Sequence, residues 1–201
     1  MPSVDDWFGP RGLYNNREDT RPFQTSFEYI PPPHATAEAG PQLRVDCGVG
    51  SQGGSSSQRN WKDPKSSLRL RFKAEFGVPK LRAGPGLLDD DSAAKSYDNL
   101  ILDAHSNNEW HYLGTFAGVM QRQRPTGCIR DQLVSDLMLA AGIQAPRGRM
   151  VLLYLNGLLW GLYDLHERPD AHFCASYFGG KDEEYDVVKH RPSTVVSGRY
   201  E

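Results

Sequence analysis

The sequence predicts an α+β fold in which an antiparallel sheet carries one main helix. Polar and apolar residues alternate along residues 25–30, 43–49 and 67–73, as they do in half-buried strands. Apolar residues recur at helical spacing from Cys128 to Ala141, and Asn156-Gly157 separates two apolar runs further on. An order of several strands followed by one helix and a hairpin is typical of α+β proteins.

The first half of the chain contains short strands between loops. Residues 67–73 predict a strand with a cationic outer face, because Leu68, Leu70 and Phe72 alternate with Arg69, Arg71 and Lys73. A further short strand is expected at residues 99–104. Residues 1–24 are polar and turn-rich and are expected to be irregular, and residues 106–125 are assigned mostly to loop.

The second half is more regular. The helix from Cys128 to Ala141 has Thr126 as its expected N-cap and Gly142 where a glycine commonly ends a helix. Its apolar stripe is expected to pack on the sheet and consists of Ile129, Leu133, Leu137 and Ala140.

Asn156-Gly157 predicts a type I′ hairpin turn, because both central residues of that turn need positive φ. The flanking strands, residues 149–155 and 158–165, are apolar on both faces, so we expect them inside the sheet. Pro169 ends the second strand. Residues 172–177 are expected to form a helical turn, and residues 185–189 a last short strand.

Length and composition restrict the class of protein. The chain has 201 residues, 38% of them hydrophobic, and can bury a core without metal or disulfide staples. A formal net charge of −2 argues against a protein that coats nucleic acid. The longest apolar run, near residues 150–162, is too short to span a membrane, and no signal peptide is visible after Met1. The three cysteines form neither a CxxC metal motif nor a disulfide framework.

Two adjoining features suit phosphate binding. Backbone N–H groups in a glycine-rich turn can approach phosphate oxygens, and the loop at residues 50–57 offers Gln52, Gly53, Gly54 and Ser55. The alternative is a flexible hairpin loop. Basic candidates for phosphate contact follow on or beside the next strand, namely Lys65, Arg71 and Lys73, for which the alternative is a solvated sheet face.

Two carboxylates complete the candidate set. Asp131 on the helix is a candidate partner for a phosphate-binding lysine, as in the small lobe of protein kinases, or else ordinary surface charge. Glu167 lies where the hairpin ends and a linker begins. His105 and His111 suggest a metal site, but they lack the HExxH spacing and a firm helical period, so no metal site is assigned.

The residues around the hairpin also resemble a known family. The stretch LLYLNGLLWGLYDLHERPD, which ends at Asp170, is similar to the signature of the CotH kinase family: an apolar strand, Asn-Gly, an aromatic, Gly, Tyr, then Glu-Arg-x-Asp. Residues 129–132 resemble the start of that family's helix, and residues 52–56 and 64–73 its small-lobe loop and strand. Residues 177–180 and 185–188 fit as well, so the similarity covers roughly residues 8–196.

The resemblance implies an atypical kinase that uses ATP and Mg²⁺ to phosphorylate serine or threonine in a protein substrate. It implies a kinase-like small lobe at residues 25–168, after an irregular segment at 1–24, and the start of a second lobe at 169–201. Family members carry catalytic and metal-binding carboxylates further along, and Asp170, Asp182 and Asp186 do not match those motifs. We therefore expect the catalytic residues beyond residue 201, and a chain that is inactive alone.

The resemblance further implies a location in the spore coat or outside the cell. The alternative function is a non-enzymatic spore-coat or surface-assembly module, which the loop-rich first half and the Trp and Tyr content would also suit. A third reading is a metal hydrolase that uses His105 and His111.

Overall fold

The computed structural model describes residues 2–16, 19, 21–31, 42–53, 65–84, 86–88, 90–105, 113–116, 119–122, 127–189 and 195–199. The strands are β1 (Phe23–Tyr29), β2 (Leu43–Ser51), β3 (Leu68–Arg71), β4 (Leu81–Arg82), β5 (Ser96–Tyr97), β6 (Asn99–Asp103), β7 (Leu113–Phe116), β8 (Val119–Arg122), β9 (Gly148–Leu155), β10 (Leu158–Glu167), β11 (Val187–Val188) and β12 (Val195–Ser197). The helices are α1 (Val4–Phe8), α2 (Arg130–Ala140) and α3 (Ala171–Phe178), and Asp182–Glu184 form a 3-10 turn.

Six of these strands form one antiparallel sheet in the order β1-β2-β3-β6-β10-β9. The predicted α+β class is therefore confirmed. The four strands expected in the first half of the chain correspond to β1, β2, β3 and β6, with ends that differ by no more than two residues. Three smaller antiparallel pairs, β4–β5, β7–β8 and β11–β12, lie outside the main sheet.

One face of the main sheet forms the core. Leu68 pairs with Leu102 and Leu70 with Leu100 across β3 and β6, and all four side chains are buried. Phe72, the next residue on this face, is also fully buried. Burying side chains of this size stabilises the fold by about 1.5–3 kcal/mol each, so this face is the main source of hydrophobic stability.

The N-terminal segment contributes to this core. Ser3 caps α1, because its Oγ accepts the backbone N–H of Asp6 while its own N–H donates to the Asp6 carboxylate at 2.7 Å. Trp7 is buried and meets the ring of Phe23 edge-on, with 5.0 Å between ring centroids. The segment expected to be irregular thus contains a capped helix. A helix of five residues is too short to show a hydrophobic period in the sequence.

The Asn156-Gly157 hairpin is confirmed. The φ angles of these residues are 49° and 84°, as a type I′ turn requires. However, β9 is the edge strand of the sheet, so the expectation that both hairpin strands lie inside it is wrong for β9. Leu152 and Tyr154, which lie on the face of β9 opposite the core, are more than half exposed. The apolar residues on both faces of β9 therefore did not indicate that both faces are buried.

Helix α2 lies near the face of the sheet that is opposite the core. Gly148 on β9 comes so close to the helix that a Cβ there would meet Oε1 of Gln132. The same Cβ would lie 2.7 Å from the Cβ of His166 and 3.0 Å from Oδ1 of Asp164. The sheet surface next to Gln132 therefore carries polar side chains, and the helix turns a polar side chain toward it.

The predicted apolar stripe of α2 faces solvent instead. Leu133 and Leu137 are 50% and 61% exposed, and no residue of the helix is buried. The expectation that this stripe packs on the sheet is wrong, because an apolar stripe gains nothing by covering charged groups. The helix also begins at Arg130, with Ile129 at the N-cap position and no side-chain cap, while Thr126 lies outside the described residues.

The segments at the end of the chain agree with expectation. The predicted helical turn is α3, whose N-cap Asp170 accepts the backbone N–H of Phe173 at 3.2 Å. The strand predicted at residues 185–189 corresponds to β11, but it is not the last strand, because β12 follows and pairs with it. By contrast, the segment assigned mostly to loop contains the β7–β8 pair, whose four-residue strands are too short to show a clear alternation.

Candidate functional site

The candidate site lies on the sheet face opposite the core. Arg69 and Arg71 alternate with buried leucines along β3, so their side chains leave the sheet on this face. Arg168 directly follows β10, and its Nη1 donates a hydrogen bond to Oε1 of Gln52 at 3.1 Å. Because Gln52 directly follows β2, and β2 and β10 are three places apart in the sheet, the sheet must curl toward this face. We call Arg69, Arg71 and Arg168 the guanidinium cluster.

An amide and a carboxylate organise the guanidinium cluster. Nε of Arg69 donates to Oδ1 of Asn99 at 2.8 Å, and Nδ2 of Asn99 donates to Oδ2 of Asp170 at 3.2 Å. Nε of Arg168 lies 3.6 Å from the same Asp170 oxygen. Glu75 is exposed, and its negative charge attracts Arg71 and so opposes the lowering of the Arg71 pKa. Among the described residues, three positive charges therefore face two negative ones, which leaves an excess of positive charge at the cluster.

Burial lowers the pKa of every guanidinium group in the cluster. For Arg69 the pKa falls to about 10, first because of desolvation and then because of repulsion by Arg168 and Arg71. Desolvation also lowers the pKa values of Arg71 and Arg168. A lowered pKa means that the charged form is less stable here than in water. An anion that accepts bonds from these groups would restore that stability, since such charge-assisted bonds are strong when partly buried.

The loop after β2 borders the guanidinium cluster. The backbone N–H of Gln52 donates to the carbonyl of Ser67 at 2.9 Å, which extends the β2–β3 pairing by one bond. Gly53 has a φ of 106°, a conformation that favours glycine. Gly54 and Ser55 lie outside the described residues, so their contact with phosphate stays a prediction.

The two candidate lysines lie apart from the cluster. Nζ of Lys65 donates to the carbonyl oxygens of Ala104 at 3.2 Å and Leu162 at 3.0 Å, and it lies 5.0 Å from the ring centroid of Tyr163. Lys65 therefore ties the chain before β3 to β6 and β10. Lys73 follows β3 and is exposed, and no hydrogen bond between described residues joins its side chain to the cluster.

The two candidate carboxylates also lie elsewhere. Glu167 is buried, where its carboxylate accepts the N–H of Arg147 at 2.9 Å and the hydroxyl of Tyr177 at 2.6 Å. Asp131 is exposed on α2, and its ion-pair partner among the described residues is Arg130, with Nε at 3.5 Å, rather than a lysine. The structure thus gives Glu167 a structural environment and does not bring Asp131 to the guanidinium cluster.

Sequence reasoning found part of this site. It selected Gln52 and Arg71, but it did not select Asn99, Arg168 or Asp170 as contacts. Arg69 shares the alternation that identified Arg71, so the signal for it was present. Arg168 and Asp170 lie inside the Glu-Arg-Pro-Asp segment of the hairpin signature. Only the curl of the sheet brings that segment to the loop after β2.

A cleft of about 380 Å³ lies between α2 and β9, away from the guanidinium cluster. Arg147 and Arg149 line it, and both have internal partners. The Arg147 guanidinium lies 4.2 Å from the ring centroid of Tyr177, and Nη1 of Arg149 donates to the Tyr29 hydroxyl at 2.7 Å. The cleft therefore contains none of the predicted nucleotide contacts.

A comparison with protein families decides the assignment. The family described as CotH kinase protein matches residues 51–195, which is more than half of the chain. The chain belongs to the CotH kinase protein family. The match includes the loop after β2, the whole guanidinium cluster and α3, so the candidate site lies within the part that makes this a CotH protein. Among curated proteins, none matches this CotH protein significantly. Within its described residues, no helix is both long enough and apolar enough to cross a bilayer.

Proposed function

We propose that this CotH protein binds the phosphates of ATP at the guanidinium cluster, as the nucleotide-binding part of a kinase that phosphorylates serine or threonine in a protein. The observation that carries the proposal is the concentration of three half-buried guanidinium groups beside the loop after β2. Arginine presents several N–H donors in a fixed plane, which suits the paired oxygens of a phosphate. The excess positive charge of the cluster supplies the electrostatic attraction.

The order of elements supports the same function. A glycine-containing loop between two antiparallel strands, then a further strand, a helix and a hairpin is similar to the small lobe of protein kinases. In kinases, the strand before the helix carries a phosphate-binding lysine. Here the strand that precedes the helix in the main sheet is β6, with sequence NLILD and no lysine. We therefore assign the phosphate contact to the arginines of the cluster instead.

The cluster suits phosphate better than Mg²⁺. Mg²⁺ prefers several oxygen ligands in octahedral geometry. The carboxylate at the centre of the cluster is Asp170, and it already faces Arg168 and Asn99. Within the described residues the cluster therefore offers phosphate contacts and no free Mg²⁺ ligand, and we expect this chain to bind ATP without transferring its γ-phosphate.

Calorimetric titration with MgATP tests the binding. We expect saturable binding that weakens at least tenfold in Arg71→Gln and in Arg168→Gln, because each removes a charged donor from the cluster. Arg44→Gln is the matched control, since Arg44 lies exposed on β2 and makes the same charge change away from the cluster. Adenosine, which has no phosphates, should bind much more weakly than ATP.

Two results would contradict the proposal. If MgATP does not bind at millimolar concentration, the non-enzymatic assembly module becomes the better description. If Arg44→Gln weakens binding as much as the cluster variants do, the attraction is general rather than local. Incubation with γ-³²P-labelled ATP tests the last expectation, and labelled serine or threonine produced by this chain alone would disprove it.

A further inference from the structure

A second polar cluster lies where β6 ends, away from the guanidinium cluster. Oδ1 of Asp103 accepts the backbone N–H of His105 at 2.8 Å and the hydroxyl of Ser67 at 2.8 Å. These two bonds turn the chain back on itself immediately after the strand. His105 takes a φ of 53° in this turn, which is uncommon for a residue other than glycine. Its ring is thereby held beside the Asp103 carboxylate.

His105 is buried without a hydrogen-bond partner. The residue is 2% exposed, and neither ring nitrogen has a partner among the described residues. The nearest charged atom is Oδ2 of Asp164, 3.9 Å from Nε2, which is too far for a hydrogen bond. Asp164 is also buried, and its Oδ1 has no partner in the described part of the chain. Buried polar groups normally have partners, so within the described part of the chain this pair offers unfilled ring-nitrogen and carboxylate positions to a ligand.

Helix α2 supplies a further candidate ligand, the carboxylate of Asp131. One oxygen of Asp131, one oxygen of Asp103 and one ring nitrogen of His105 all lie within 4.8 Å of one another. Metal–ligand bonds to nitrogen and carboxylate oxygen are about 2.0–2.2 Å long, so a small closing movement would bring these atoms onto one ion. Asp131 is exposed, and a change of its rotamer can supply that movement.

We propose that Asp103, His105 and Asp131 bind a divalent transition-metal ion beside the buried Asp164 carboxylate. A buried imidazole among carboxylates suits Zn²⁺ or Mn²⁺ better than Mg²⁺ or Ca²⁺, which prefer oxygen ligands alone. Two positive charges on the ion would offset the repulsion among the three carboxylates. The ion would also join α2 to the sheet, which matters because α2 buries none of its own side chains.

A second histidine cluster shows what a satisfied site looks like. Asp98, His172 and Asp182 have the same close spacing. There, Nζ of Lys80 lies 3.1 Å from His172 Nδ1, 3.4 Å from Asp98 and 3.9 Å from Asp182. The lysine ammonium already supplies a cation in that group. Arg130 pairs with Asp131 at 3.5 Å, but no lysine or arginine among the described residues contacts His105, so we expect the cation beside the imidazole to come from solution.

Calorimetric titration of the chelator-treated protein tests the site, with ZnCl₂, MnCl₂ and MgCl₂ as separate probes. We expect one Zn²⁺ per chain, bound at least tenfold more tightly than Mg²⁺. Asp131→Asn should weaken Zn²⁺ binding at least tenfold, whereas Asp136→Asn, the same exposed change further along α2, should alter it less than twofold. His105→Asn should abolish binding, and asparagine tolerates the positive φ of this position.

The exposed position of Asp131 keeps the test decisive, because its substitution should not disturb folding. Circular dichroism of each variant checks that point. The proposal is overturned if Zn²⁺ binds no more tightly than Mg²⁺. It is also overturned if Asp131→Asn and Asp136→Asn have equal Zn²⁺ affinities, since the ion would then be bound elsewhere. Nucleotide binding at the guanidinium cluster can fail or succeed independently of either result.

Discussion

Removal of the Tyr177 hydroxyl should lower the stability of the protein, because this group joins α3 to the end of the sheet. This hydroxyl donates to Oε1 of Glu167 at 2.6 Å and accepts the backbone N–H of Ala94 at 2.7 Å. Tyr177→Phe therefore takes a donor from a buried carboxylate and an acceptor from a part-buried amide. Its effect on stability can be worked out from these two bonds.

The expected loss of unfolding free energy is about 2.5–4 kcal/mol. A hydrogen bond to a charged group contributes about 1.5–3 kcal/mol, and an amide left without its acceptor in a part-buried site adds about 1 kcal/mol more. Tyr185→Phe is the matched control, because the Tyr185 hydroxyl donates to the Gly179 carbonyl at 2.6 Å in an exposed position where water can replace it. We expect that control to lose less than about 1 kcal/mol.

The loss should also depend on pH. Burial raises the pKa of Glu167 above 4.5, and the bond from Tyr177 opposes that rise. A carboxyl whose pKa is raised by folding stabilises the fold fully below its unfolded pKa, and that stability is lost as pH rises through the folded pKa. Without Tyr177 the pKa of Glu167 rises further, so the variant loses more stability on ionisation. The gap between wild type and variant should therefore widen from about pH 4.5 to pH 8.

Urea unfolding followed by tryptophan fluorescence at both pH values measures these free energies. The reasoning is refuted if Tyr177→Phe stays within about 0.5 kcal/mol of the wild type, the range of an ordinary surface substitution. A loss that is the same at both pH values would instead show that Glu167 does not accept this bond in its ionised form.

Three further predictions concern the fold. Gly157→Ala should lower the free energy of unfolding by about 1 kcal/mol in a urea titration, because the φ of Gly157 is 84°. The control Gly84→Ala should lower it by less than about 0.5 kcal/mol, because a Cβ at this position meets no atom within 4 Å. Trp7→Ala should cost about 3–5 kcal/mol in the same assay, and a near-neutral result would show that the N-terminal segment does not belong to the core. Burial raises the pKa of the Cys47 thiol to about 12, so a thiol reagent at pH 8 should modify only the other two cysteines until denaturant is added. Rapid modification of all three in the native protein would contradict its burial.

Local patterns predicted the elements of the fold well. The alternation along β3 correctly separated buried Leu68 and Leu70 from Arg69 and Arg71, because a strand turns successive side chains to opposite faces. Asn156-Gly157 predicted its hairpin, because few other residue pairs adopt positive φ at both positions. Packing between elements was predicted less well. Leu133 and Leu137 have helical spacing, yet they face solvent because the sheet below α2 is polar.

The candidate site shows the same division. Arg71 could be selected from the sequence, because its strand and face follow from alternation. The different environments of Glu167 and Arg168 could not be predicted, although the two residues are adjacent in the chain. The Glu167 carboxylate is buried against Arg147 and Tyr177, whereas the Arg168 guanidinium reaches Gln52. Side chains of successive strand residues leave on opposite faces, so one residue of register decides between a structural role and a binding role.

The sequence by itself determined the α+β class, the main strands, the hairpin and the CotH family, because each depends on residues close together in the chain or on a continuous motif. Only the tertiary structure decided which charged groups meet. The curl of the sheet brings Arg168 to the loop after β2, and the position of α2 brings an Asp131 oxygen within 4.8 Å of ligand atoms of Asp103 and His105. These contacts join residues far apart in the sequence, so their distances depend on sheet order and curvature, which no local pattern encodes.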